Sequence, residues 1–139
     1  MIRRVLYAAA VCLVFLIVGC SMGRPAYEIL EGQSLPNTLQ ENARLNQFWN
    51  EAVARLHPYS GFDTITLDNK QYIILTSGTK SSSGYSIKVH DVKDREGYLL
   101  IEAEDVKPRS GATLAVYDYP AILLVMDKTE LPIRLRWVK

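Results

Sequence analysis

Cysteine is scarce in this chain: only Cys12 and Cys20 occur among 139 residues. From position 21 onward there is none. That excludes a thiol nucleophile, a zinc–thiolate site and a disulfide framework from everything beyond the first stretch. Histidine is equally sparse, with His57 and His90 alone. An excess of either charge is lacking too, since 16 Lys+Arg face 15 Asp+Glu for a formal charge of +1. So balanced a chain offers no basic excess for nucleic acid and no acidic tail. There is no Gly-x-Ser-x-Gly elbow, His-Glu-x-x-His pair, P-loop or dinucleotide fingerprint. His57 precedes Pro58 and reads as a helix-end residue capping carbonyls. His90 reads as solvated on a strand face, with Asp91 on the opposite face. Glu102 and Glu104 share a face and read as a solvated pair. The expectation is a non-enzyme with no cofactor and no metal.

Long hydrophobic runs are limited to one. Val5 to Gly19 is apolar or small throughout, about 15 residues, short of the roughly 20 a membrane-spanning helix needs. Arg3 and Arg4 precede it, as in the n-region of a secretory signal peptide. The run closes in Ile17-Val18-Gly19-Cys20, which resembles a bacterial lipobox. That resemblance implies cleavage before Cys20 and acylation of its thiol. Each buried CH₂ contributes roughly 0.8 kcal/mol, so two or three chains hold far better than one. The expected organisation is therefore a signal peptide over 1–19, then a lipidated N-terminus and polar tether over 20–36, then one domain over 37–139. The localisation expected is extracytoplasmic, with membrane attachment through Cys20. Loss of Arg3 and Arg4 takes the charge from +1 to −1.

What is present beyond residue 36 falls into two periods. Leu45, Phe48, Trp49, Ala52, Val53 and Leu56 recur at helical spacing and form one apolar stripe. Thr38 and Glu41 have capping-box spacing, and His57-Pro58 ends the pattern. A helix over 38–57 packing on a sheet follows. From Phe62 onward the period is two. "FDTITL", "KQYIILTS", "YSIKVHDV", "YLLIEAEDV", the apolar segment around Pro120, and "LPIRLRWVK" suggest roughly six or seven strands. Asp68-Asn69 is turn chemistry, and Ile73-Ile74-Leu75 reads as buried on both faces. Pro120 implies a bulge, an edge or a break. The fold class expected is mainly β, a sandwich or strongly bent antiparallel sheet preceded by one amphipathic helix.

Between two strands lies "SGTKSSSGYSIKV". With "YLLIEAEDVKPRSG" and "YDYPAILLVM" it resembles the C-terminal domain of the PrcB family of bacterial lipoproteins, over roughly Gln71 to Met126. Gly78, Gly84, Tyr85, Tyr119 and Pro120 carry the match, and Ser83 stands where the family often has Gly. The resemblance implies a non-catalytic accessory subunit that binds an envelope protein, such as a protease complex. Ser82, Ser83, Gly84, Tyr85, Tyr117, Tyr119 and Pro120 are the candidate partner-binding residues, because a small-residue tip beside aromatics suits contact. Ser83-Gly84-Tyr85 is also similar to the central loop of chagasin-type inhibitors of cysteine peptidases. Lys107 to Gly111 or Tyr117 to Pro120 would flank it. The Arg-Pro-Trp third loop of that family has no counterpart, since Arg136-Trp137 lacks the Pro.

Overall fold

The computed structural model describes residues 24–109 and 113–139. The signal-peptide, lipobox and Cys20 expectations, and Ser110–Gly111 of one loop, lie outside the described residues. The described residues form seven strands and two helices: β1 (Tyr27–Leu30), α1 (Ser34–Glu41), α2 (Ala43–Leu56), β2 (Ser60–Leu67), β3 (Lys70–Ser77), β4 (Ser86–Arg95), β5 (Tyr98–Val106), β6 (Ala121–Asp127) and β7 (Ile133–Val138). They make three layers. A four-stranded sheet in the order β1-β6-β3-β2 stands between the helices and a three-stranded sheet, β4-β5-β7.

The alternation of side chains explains the layering. Ile73, Leu75, Ile122, Leu124 and Met126 meet Ile87, Val92, Leu99, Ile101 and Ala103 to form the core between the sheets. Ile74 and Leu123 point the other way and pack with Leu45 and Ala52 of α2. The Ile73-Ile74-Leu75 run is thus buried on both faces, as expected of a strand inside a layered domain. Ile133, Leu135 and Trp137 face the intersheet core, and Arg134 and Arg136 point away from it. Asp68 and Asn69 join β2 to β3 with φ of 49° and 60°, the paired positive φ of a type I′ hairpin turn.

Four expectations are corrected. The tether does not extend to residue 36: Tyr27–Leu30 is a strand paired antiparallel with β6, from Tyr27↔Met126 to Leu30↔Leu123. Four residues are too few to show a period, and the partner is far away in sequence. The single helix over 38–57 is two. Asn42 breaks it with φ −134° and ψ 99°, and its Oδ1 accepts from the Leu45 N–H at 3.1 Å. The expected capping box does not form, because Thr38 lies inside α1 and its hydroxyl donates back to the Ser34 carbonyl. The sheets are not wholly antiparallel either. The chain crosses from β6 in one sheet to β7 in the other, and β7 runs parallel to β5.

A further correction concerns the outer face of the three-stranded sheet. The β4–β5 register shifts between Val89 and Asp91. Val89 and Val92 both reach the core, so the bulge leaves His90 and Asp91 both outside it, where strict alternation puts them on opposite faces. Glu102 is not solvated: it is only 9% exposed and holds Lys93 at 3.2 Å together with Arg136. Glu104 meets His90 Nε2 at 2.5 Å, and Asp91 meets Arg24 at 3.4 Å. The Glu102 contacts with Lys93 and Arg136 cross between neighbouring strands, a pattern that stabilises sheets.

Candidate functional site

Strand directions give the sandwich two ends. β3 leaves one end at Ser77, β4 enters there at Ser86, β5 leaves at Val106, and β6 enters at Ala121. We call this the loop end. The opposite end carries the turns at Asp68-Asn69 and Glu96-Gly97 and the segment after Asp127. All the candidate contact residues fall at the loop end.

The two loops are zipped together by backbone. Lys80 N–H donates to the Asp118 carbonyl at 2.8 Å, and Asp118 N–H donates to the Lys80 carbonyl at 3.1 Å. Ser83 N–H donates to the Leu114 carbonyl at 3.0 Å, and Leu114 N–H returns a bond to Ser83 Oγ at 2.9 Å. Ser83 therefore supplies a side-chain acceptor that Gly lacks, which gives a physical use to the departure from the family pattern. Gly84 sits at φ +91°, and a Cβ there would come within 2.8 Å of Pro108. Only glycine takes that conformation at such close approach without strain.

Lys80, a residue sequence reasoning passed over, organises the interior of the loop. Its ammonium forms an ion pair with Asp105 and lies 5.4 Å from the Tyr85 ring centroid. Tyr85 is consequently half-buried and not a projecting tip. Beside this pair, Ser60, Ser77, Asp105, Trp137 and Val138 line an open cavity of about 240 Å³. Ser77 Oγ and Asp105 Oδ1 are buried without a protein partner among the described residues.

The segment Leu114–Pro120 presents the exposed surface instead. Tyr117 is 78% exposed and Leu114 69%, with Val116 and Tyr119 following them. Tyr119 rests edge-on against the His57 ring, centroids 4.1 Å apart, so His57 is a packing platform here. Its own N–H donates to the Val53 carbonyl. Pro120 is half-buried and marks the break before β6, and its carbonyl accepts from Ser77 N–H at 3.3 Å. Tyr59, 73% exposed, joins the same end. Thr76 Oγ1 donates to its carbonyl, and it shares a small pocket with His57, Pro58, Tyr119 and Pro120. Among the described residues, the large apolar side chains that remain exposed are these five, and all lie at the loop end. Ser82 is half-buried between the two zipped positions.

The structure brings Ser82, Ser83, Gly84, Tyr117, Tyr119 and Pro120 together at one end, with Tyr85 half-buried beside Lys80. Sequence reasoning missed Tyr59, Leu114 and Val116, which carry no periodic signal. Exposure is settled by long-range pairing that a local pattern does not contain.

A family model described as PrcB C-terminal matches residues 71–127. That span opens in β3 and closes with β6, and so includes both zipped loops. No curated protein matches the chain, and no solved structure does.

Proposed function

We propose, from a PrcB-type C-terminal domain over residues 71–127, that this protein is a non-catalytic accessory subunit held at the cell envelope by an acylated Cys20. On this reading its loop end binds a folded protein partner, such as a protease or protease complex. The observation that carries the reading is the concentration of exposed apolar side chains at one end: Tyr59, Leu114, Val116, Tyr117 and Tyr119. Grouped exposed aromatics of this kind mark contact surfaces, whereas singly scattered ones need no explanation. The contrast with the outer sheet face supports the choice, because there Glu102, Glu104 and Asp91 already have partners. The rigid zipping of the loops lowers the ordering cost that binding would otherwise incur.

The inhibitor reading has weaker support. The Ser83-Gly84-Tyr85 loop stands beside the 114–120 segment, as three-loop inhibition requires, but Tyr85 is covered by Lys80 and presents no wedge. Among the described residues the two histidines are engaged elsewhere, His57 packing on Tyr119 and His90 meeting Glu104.

The test is a mild-detergent pull-down of the lipidated protein from its own envelope, beside a Tyr117→Ala/Leu114→Ala variant. We expect an envelope protein enriched with the wild type and lost with the variant, at an unchanged melting temperature. Equal recovery by both baits would remove the loop end from the interface.

A further inference from the structure

The pairing of β1 bears on how the loop end is presented. Tyr27 pairs with Met126, and Met126 lies opposite Gln71, so the chain enters the sandwich at the end away from the loops. From Gln71 to Ser77, β3 covers about 20 Å at 3.3 Å per residue. The zipped loops project beyond that. Between Cys20 and Tyr27 there are seven peptide steps, which reach at most about 25 Å even when fully extended.

We infer that the loop end faces away from the bilayer, and that its partner is a protein domain standing clear of the membrane. This rests on the anchoring of Cys20 proposed above. To bring the loop end down to the bilayer, the connection would have to run back along the whole sandwich and be stretched nearly taut. That conformation forfeits almost all of its chain entropy. Side-chain chemistry agrees with the direction. The turn end shows Asp68-Asn69, Glu96-Gly97 and the Lys128–Glu130 ion pair, a polar surface with no exposed large apolar side chain among the described residues. The exposed aromatics are all at the far end.

The scarcity of cysteine makes the test clean. With the thiol of Cys20 acylated and Cys12 removed with the signal peptide, a single introduced cysteine is the one site that takes a fluorophore. The lipidated protein carrying Glu28→Cys or Tyr117→Cys is reconstituted into phosphatidylglycerol/phosphatidylethanolamine vesicles containing a headgroup-linked quencher. Glu28 and Tyr117 are both exposed, and the pair Lys128→Cys and Leu114→Cys repeats the comparison at independent positions. The expected result is quenching several-fold stronger at 28 and 128 than at 117 and 114. Equal quenching, or stronger quenching at 117, would overturn the orientation while leaving the anchor intact. Failure of the protein to float with the vesicles would sink the anchor and the orientation together, and would leave the pull-down test of the loop surface standing.

Discussion

A methyl group added at Gly84 would have to enter space held by Pro108, on a backbone at φ +91°. Strain of this kind costs about 1–3 kcal/mol. Gly84→Ala is therefore expected to lower the unfolding free energy by that order, and to loosen the Ser83–Leu114 pairing. Hydrogen exchange at the Leu114 amide reports the second effect. The same residue scale shows what sequence does and does not reveal. Gly84 announces itself as a turn glycine, and Pro120 as a break. Tyr85 and Tyr117 are the same residue type in similar polar surroundings, yet one is covered by Lys80 and the other stands in solvent. The difference comes from the Lys80–Asp105 pair, which joins positions far apart in the chain. We expect Tyr85→Ala to lose about 1 kcal/mol of stability through its cation–π contact and packing, and Tyr117→Ala to lose none that a thermal melt detects.

Elements were legible where their period was long. The α2 stripe predicted its own burial, and Leu45 and Ala52 are fully buried as the centre of that stripe. The period of two in β5 and β7 matches the structure, where Leu99, Ile101 and Ala103, and Ile133, Leu135 and Trp137, face the intersheet core. Legibility failed at short elements and at interruptions. β1 is too brief to show a period, and the bulge at His90 shifts faces without any local mark. The capping-box spacing of Thr38 and Glu41 pointed to one helix start, whereas the structure starts its longer helix at Asn42, which no such spacing marks. Asn42→Ala removes the acceptor for the Leu45 N–H, and a lost N-cap costs about 1 kcal/mol. The expected outcome is an unfolding free energy lower by about that amount in urea, with the sheet signal in circular dichroism unchanged. A change in the sheet signal would mean that the break at Asn42 positions more than the helices.

At the scale of the whole molecule, residues 71–127 contribute two strands to each sheet and leave both sheets incomplete. β1 covers the outer edge of β6, and Leu30 is buried beneath the helices. A chain beginning at Gly32 is expected to be less stable than one beginning at Arg24 by about 3 kcal/mol, on the burial of Leu30 and parts of Ile29 and Tyr27. It is also expected to self-associate through the bared β6 edge, which sedimentation velocity would detect. Matching stability in the two chains would show that β1 is dispensable. The β1–β6 pairing also sets an order of events in time. A chain delivered N-terminus first presents β1 at once, but its partner arrives about a hundred residues later, and such distant closure is slow. Until then neither sheet is complete, since β7 follows later still. The four-stranded sheet therefore closes only when the far end of the chain is available, so its two ends are expected to form as one cooperative unit rather than in sequence order.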